Sequence, residues 1–488
     1  MTDPDFEHLH VTDAVVREQV AAGRPTDAVQ SAHDRIATGL ADLSVVQMAA
    51  GNLGGAVKNL QDALTLSPGN RPAFHNLVAT MLSHGMLAGA GLQSIRSHLI
   101  RHRPRYPWMQ DYRSILYMPR WLNLEFVLGK CNLKCRMCLG RQSPSYPDRL
   151  SYLSADDLGA LLAAAPTVGA ITLSSGDSDP LLHPQIDRVI DIAQQRSVML
   201  DIFTNGQPLG PRTSRKIVES QAVNMVNFSI DAATAETYAT IRGGDLGRVL
   251  KKIEMLQEMK REGDRKQPHV SMSFVAMRDN IHELPDFVRT AVRLGAMRVF
   301  VEDLIGWEDG ANGNHPASDH PEWSAFVREA RRLAGEARML LQLPERMLGE
   351  TAGVPAAVKE DDGTSACRAT GLTCCGWIDA VYVNQNGRLD PCCLIHGVAD
   401  MGCVHDGPVH ENRKYRQVKE LLLSGKVFDR CAGQRMCQYV QQQHAAGIPL
   451  QFMTRADLGD LHPDAAGALS PGDPDKSRIS LEVVPAAS

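Results

Sequence analysis

Between Leu122 and Leu304, short β-branched or apolar runs alternate with amphipathic helical patterns, and this alternation limits the fold more than any other feature of the chain. The predicted strands are LNLEFVLG from Leu122, AITLSS from Ala170, VMLDIFTN from Val198, VNMVNFSID from Val223, VSMSFVAM from Val270 and MRVFVEDL from Met297. Helices such as SADDLGALLAAA from Ser154 and HELPDFVRTAVRLGA from His282 fit between them. Strands that take turns with helices imply parallel βαβ units in an α/β fold. Six units fall short of the eight that close a (β/α)8 barrel, so an open, partial (β/α)6 barrel is expected.

A chain of 488 residues exceeds one ordinary core and suggests two to four domains. Its 43% apolar and 22% charged residues, with a net charge of -5 spread along the chain, describe a soluble globular protein. No basic stripe marks a nucleic-acid partner, and no apolar run approaches the roughly 20 residues a membrane span needs. The opening MTDPDFEHLHVTDAV is acidic and polar, unlike a secretory signal, so a cytoplasmic, reducing setting is expected. In that setting eleven cysteines read as metal ligands rather than a disulfide framework.

The first hundred residues echo themselves. AAGRPTDAV begins at Ala21 and AAGNLGGAV at Ala49, and Gly85 in HGMLAGAG lies 34 residues beyond Gly51. A period near 34 with Gly at the turn, Ala on inner helix faces and a Pro68-Gly69 stop resembles tetratricopeptide repeats, with a generic helix bundle as the plainer alternative. The expected organisation is a helical domain over 1–110, a barrel over 120–345, a cysteine-rich α+β segment over 366–445 and a flexible tail over 446–488, with a linker-like stretch from Gly349.

Chemistry enters with LGKCNLKCRMCLG, where Cys131, Cys135 and Cys138 follow the first predicted strand. Structural zinc wants four ligands, and the nearest downstream histidine is His183. A redox Cys-x-x-Cys pair would leave Cys131 unexplained. Three thiolates on one loop suit a 4Fe-4S cluster with one iron open to a non-protein ligand.

At this point the chain resembles the radical S-adenosylmethionine (SAM) enzymes, whose Cx3Cx2C loop follows the first strand of a partial (β/α)6 barrel. The resemblance implies that Met137 stands where an aromatic residue usually packs toward adenine. It also implies that SSGDSDPLLHP, with Gly176, Asp177, Ser178 and Asp179, replaces a Gly-Gly-Glu-Pro turn that holds the SAM amino group. Asn205, Ser229 and Asp231 end the third and fourth strands, where relatives face the SAM ribose and carboxylate. Asn205 serves equally as a turn residue, and Asp231 as a cap for the helix that follows. Arg242 matches a position that binds the SAM carboxylate, or is a solvated helix-end arginine. Glu302 and Asp303 close the sixth strand ahead of a polar loop that is a candidate substrate wall or a plain connection.

Further on, CCGWIDAVYVNQNGRLDPCC carries a hairpin signal at Asn386-Gly387. Eleven residues separate Cys375 from Gly387, four more precede Cys392, and Cys431 and Cys437 follow with five residues between them. This resembles the SPASM and Twitch auxiliary-cluster extensions of radical SAM enzymes. It implies one auxiliary 4Fe-4S cluster on Cys375, Cys392, Cys431 and Cys437, with structural zinc on the same thiols as the alternative. A second auxiliary cluster is disfavoured because its tight cysteine block is missing, which leaves Cys367, Cys374, Cys393 and Cys403 unassigned.

The implied reaction is reductive cleavage of SAM to methionine and a 5'-deoxyadenosyl radical, which takes hydrogen from an unactivated C-H bond. An external donor such as flavodoxin or ferredoxin would supply the electron. The substrate would be a peptide or protein, favoured slightly by the N-terminal array and its capacity for a protein partner, or a sugar or aminocyclitol. Oxidation, crosslinking and epimerisation all stay open, the last through a hydrogen-donating thiol such as Cys403 or Cys393. A non-enzymatic, zinc-stabilised helical-repeat scaffold is the rival reading.

Overall fold

The computed structural model describes residues 14–462 except 85, 87–88, 130, 139–149, 176–177, 305–312, 345–346, 348–379, 393–394, 396–397, 434–439 and 441–448. The chain divides into two compact units, Met1–Leu116 and Tyr117–Ser488.

In the first unit, helices span Ala14–Ala21, Pro25–Ala49, Leu53–Leu66, Arg71–Ser83 and Gly89–His102. Asn52 and Asn70 start two of them, accepting hydrogen bonds from the Gly55 and Ala73 backbone N–H groups, which satisfies donors the helix itself leaves open. Ala56, Leu60, Ala63, Phe74 and Leu77 are buried between them. Leu53–Leu66 and Arg71–Ser83 form one helix pair within the 34-residue spacing from Gly51 to Gly85. The preceding helix, Pro25–Ala49, runs 25 residues, longer than half of a 34-residue helix-turn-helix unit.

The second unit is built on one nine-stranded sheet. In chain order the strands are β1 (Trp121–Glu125), β2 (Val127–Leu128), β3 (Ser151–Tyr152), β4 (Ala170–Ser174), β5 (Met199–Thr204), β6 (Val223–Ser229), β7 (His269–Ala276), β8 (Arg298–Asp303), β9 (Leu340–Gln342), β10 (Ala380–Val383) and β11 (Leu389–Asp390). The sheet order is β11-β10-β1-β4-β5-β6-β7-β8-β9. Every pairing in it is parallel except β10 with β11. Helices Ala155–Ala164, Ile186–Gln195, Pro211–Glu219, Leu246–Glu262 and Leu284–Arg293 connect successive strands, and this gives the α/β partial barrel expected from the alternation.

One face of the sheet is apolar, and Leu122, Leu124, Ile171, Leu173, Leu200, Ile202, Val226, Phe228, Met272, Phe274, Val299 and Val301 are all buried there. Each such side chain contributes about 1.5–3 kcal/mol by leaving water. The other face carries Asn123, Ser174, Asn227, Ser229, Ser271, Ser273 and Arg298. These bond to one another across strands: Ser174 to Asn123, Asn227 and Ser229 to Ser273, and Arg298 to Ser271. Strands with this alternation put an apolar layer under the helices and a polar lining on the concave side.

Three differences from the sequence reading have physical causes. The first predicted strand breaks at Phe126, whose N–H bonds the Ser174 carbonyl, and the chain then pairs as β2 with β3 in a separate ribbon. The Asn386-Gly387 hairpin forms, with Gly387 at φ 72°, but its strand β10 joins the main sheet beside β1, Trp121 opposite Ala380. Part of the predicted flexible tail is ordered. Thr454 caps the Arg455–Leu458 helix, Leu461 is fully buried, and its carbonyl accepts from the Asp400 N–H.

Candidate active site at the strand C-termini

Cys131, Cys135 and Cys138 lie on the loop after β2, and the helix Ala235–Arg242 fixes that loop. Lys134 N–H bonds the Arg242 carbonyl at 3.2 Å and Arg136 N–H the Ile241 carbonyl at 2.8 Å. Asn132 and Asn205 exchange side-chain hydrogen bonds of 3.3 and 3.0 Å, tying the loop to the end of β5. Arg136 reaches Asn314 Oδ1 at 3.1 Å and Asp279 at 3.0 Å, and the fully buried Asn314 returns a bond to the Arg136 carbonyl. Met137 packs against Ile241, Met277 and Leu304, an apolar role that its flexible thioether fills well.

The three thiols face one cavity of about 410 Å3 at the carboxyl ends of the strands. Met137, Ser174, Ser175, Ser178, Asp179, Phe203, Thr204, Asn205, Ser229, Arg242, Val275, Glu302, Asp303 and Leu304 complete its described lining. That is where parallel sheets place their ligands. Burial pushes the Cys131 thiol up to about 11 and raises Cys135. Both are protonated at neutral pH, and a metal must displace those protons on binding.

Arg242 is buried rather than a solvated helix-end arginine, and it lines the cavity. Its Nε and Nη2 donate to Asp231 Oδ2 at 2.6 and 2.5 Å, and its Nη1 lies 3.9 Å from Cys135 Sγ. Asp231 sits at φ 65°, a left-handed conformation that Asp tolerates better than most residues. It also accepts the Val275 N–H at 2.8 Å. Burial works against its charge while Arg242 and the Val275 N–H favour it. Asp231 is not the cap of the next helix, since Thr234 does that work.

Asp179 is fully enclosed, and its carboxylate is engaged within the protein. It accepts the Leu181 N–H at 2.9 Å, the Thr204 hydroxyl at 2.9 Å and the Asn205 N–H at 2.7 Å. The acid expected to meet a ligand amine therefore clamps the turn after β4 to the end of β5. Ser175 and Ser178 stand out instead, because among the described residues both hydroxyl oxygens are buried without a hydrogen-bond partner and both line the cavity. Buried hydroxyls normally find partners, so two orphans on one wall mark where a polar ligand fits.

Three thiols and two orphan hydroxyls fit a cluster with an open iron and a zwitterionic ligand beside it. Among the described residues no three or more His, Cys, Asp or Glu side chains converge as a set for a single metal ion. The irons of a cluster sit on separate thiolates and ask for wider spacing. His183 is out of the question as a ligand. It stacks on Phe126 at 4.2 Å, and its ring nitrogens engage the Leu153 carbonyl and the Gln185 N–H.

Sequence reasoning found Met137, Ser178, Asp179, Asn205, Ser229, Arg242, Glu302 and Asp303, all of which the fold brings to this cavity. Asp231 stands behind it through Arg242. Ser174, Ser175, Phe203, Val275 and Leu304 carried no assignment from sequence, although each lies near or just past a strand end. Gly176, Asp177, Cys367, Cys374, Cys375, Cys393 and Cys437 lie outside the described residues. Cys392, Cys403 and Cys431 are not among the described lining of the cavity. Cys392 is buried beside Ile395, Cys403 begins a 3-10 turn through its N–H to Asp406, and Cys431 lies in the turn Asp429–Gly433.

Residues 127–291 match the Radical SAM superfamily model. The chain is 27% identical over 178 residues to a probable GTP 3',8-cyclase of Methanocaldococcus jannaschii, covering 36% of this chain and 56% of that one. It is 28% identical over 188 residues to the mycofactocin maturase MftC of Mycobacterium ulcerans, covering 38% and 48%. The chain thus spans about half the length of these curated relatives. In fold it is similar to SuiB of Streptococcus suis, with a TM-score of 0.50 at 12% identity over 82% of this chain and 92% of that one. No described helix is long and apolar enough to cross a membrane.

Proposed function

We propose that this chain, whose residues 127–291 carry a radical SAM domain, is an enzyme that cleaves SAM reductively and removes hydrogen from an unactivated C-H bond of a peptide or protein. The observation that carries this reading is the shared cavity of Cys131, Cys135 and Cys138 with the unpartnered Ser175 and Ser178 hydroxyls. Those three thiols would hold a 4Fe-4S cluster, which when bound would supply the electron for SAM cleavage.

The side chains of this protein do the rest. Arg242, held by Asp231, presents Nη1 to Cys135 Sγ and favours the thiolate that the cluster requires. Asp179 fixes the turn that carries Ser178, which with Ser175 offers hydroxyls to the polar end of SAM. Asn205 and Ser229 supply further polar groups, and Met137 and Leu304 give the adenine an apolar seat. Gly176 and Asp177 remain candidates for SAM contact by resemblance alone. Confinement in the cavity excludes water and stray hydrogen donors from the radical.

A peptide substrate is supported by the N-terminal helical unit, an architecture suited to docking extended partners, and by the maturase among the relatives. Sugars and aminocyclitols remain the alternative substrates. Cys375, Cys392, Cys431 and Cys437 would hold an auxiliary 4Fe-4S cluster, which would supply an electron acceptor for net oxidation or a crosslink. A thiol such as Cys403 or Cys393 returning hydrogen would give epimerisation, and Glu302 and Asp303 are the candidate groups for substrate chemistry. Flavodoxin or ferredoxin is the proposed electron donor. Metal analysis after anaerobic reconstitution tests the assignment. About eight irons with matching sulfide support it. Stoichiometric zinc without sulfide contradicts it and favours a metal-stabilised binding scaffold.

A further inference from the structure

Three carboxyl groups and one guanidinium stand in the described lining of the cavity. Asp179, Glu302 and Asp303 line it, and Arg242 is the only cation in its described lining. Arg242 donates to Asp231 and Cys135 and forms no ion pair with Glu302, and Asp179 is satisfied by Thr204, Leu181 and Asn205. Glu302 is different: among the described residues its carboxylate accepts no hydrogen bond and joins no ion pair.

Its position is set by the sheet. In the β7–β8 register Glu302 stands opposite Val275, and both side chains face the cavity. Two residues earlier on the same face is Phe300, with the Arg298 guanidinium 5.6 Å from its ring. Arg298 donates back to Ser271 and Met225, so the nearest cation on that strand points away from Glu302. A carboxylate withdrawn from water costs free energy unless a donor meets it. The fold positions Glu302 without supplying that donor.

We propose that Glu302 is the specificity-determining group of this cavity and receives a cationic nitrogen of the substrate, the primary amine or guanidinium of a peptide side chain. The assignment rests on the radical SAM reading of the same cavity and narrows its substrate class. Burial, with the charge of Asp231 adding to it, pushes the carboxyl up to about 7. A cation seated against it restores the carboxylate and forms a charge-assisted hydrogen bond in a partly buried site. A neutral side chain of equal length leaves it unpaired.

The test uses the reconstituted full chain with SAM bound and no reductant. Its probes are two acetylated, amidated pentapeptides, identical except for lysine or norleucine at the centre. Equilibrium binding of each is measured on the wild type, Glu302→Gln and Glu302→Asp. The expected result is about tenfold tighter binding of the lysine peptide by the wild type, loss of that preference in Glu302→Gln, and its partial return in Glu302→Asp. Equal binding of the two peptides by the wild type overturns the proposal, as does failure of both to bind. A preference that survives Glu302→Gln also overturns it. So does a Glu302→Gln variant that loses SAM affinity, which would place Glu302 against SAM. Iron content and SAM binding of the wild type are measured separately, so failure of the radical SAM reading registers as their absence.

Discussion

Replacing Asp231 with asparagine removes one charge from the best-enclosed ion pair of the site and, with the amide oxygen kept on the Val275 N–H, turns the atom that accepts from Arg242 Nε and Nη2 into a donor. Asparagine keeps the shape and tolerates the φ of 65° at this position. Its side-chain oxygen can still accept the Val275 N–H. What disappears is the counter-charge of Arg242, whose side chain is 9% exposed against 0% for Asp231. A buried cation stripped of its partner costs about 3–5 kcal/mol, because desolvation is no longer offset by attraction. The measurement is urea unfolding of the apoprotein, followed by circular dichroism through the transition of the Tyr117–Ser488 unit. Arg242→Gln and the double variant complete a cycle. Asp231→Asn is expected to lose about 3–5 kcal/mol, and the double variant to lose at least about 2 kcal/mol less than the sum of the single losses. A single-variant loss below about 1 kcal/mol, or additive losses, would refute the claim that this pair sets the position of the loop.

Other consequences can be measured on the same apoprotein. Glu302 is held up at about 7, so the native state binds its proton more tightly than the unfolded state and stability falls as pH rises from about 4.5 to 7; Glu302→Gln should remove that slope and stabilise by up to about 3 kcal/mol at pH 8. Burial depresses His98 and His183 to about 4. Their contribution is complete above about pH 6.5 and disappears as pH falls toward 4, up to about 3 kcal/mol each, and a histidine NMR titration finding either near 6.5 would contradict this. Gly206 has φ +76°, and an added Cβ would meet Phe228 at 2.9 Å and Val249 at 3.0 Å. Gly206→Ala should therefore cost about 2–3 kcal/mol in thermal or urea melts, and a neutral result would mean that the turn beside Asn205 is not held as described.

The barrel was legible because its strands are short and separated by helices with their own start signals, such as Ser154 and Asp245. The pairing of β10 with β1 was not, because Trp121 and Ala380 meet across a sequence distance that no local pattern records. The helical period is met by the Leu53–Leu66 and Arg71–Ser83 pair and departs before it. Gly23 and Gly51 both adopt positive φ at turns, but Gly39 between them lies within the Pro25–Ala49 helix, since one glycine costs a helix only about 1 kcal/mol. The cysteine loop could be placed from spacing and its preceding strand. Its supports could not, because Arg242 and Asp179 read as ligand-facing polar residues and only tertiary packing shows their bonds to Asp231 and Thr204. Ser175 gave no signal beyond its place after β4, since an orphaned hydroxyl is a property of the folded cavity.

The central claim is that Cys131, Cys135 and Cys138 together present an open iron to SAM. It is tested most directly by counting 5'-deoxyadenosine formed from SAM with dithionite under anaerobic conditions. The reconstituted wild type is compared with Cys131→Ala, Cys135→Ala and Cys138→Ala. The account predicts formation by the wild type and loss of at least about a hundredfold in each variant, because two thiolates do not retain the cluster. Absence of 5'-deoxyadenosine from an iron-loaded wild type, or undiminished formation by any one of the variants, would contradict it.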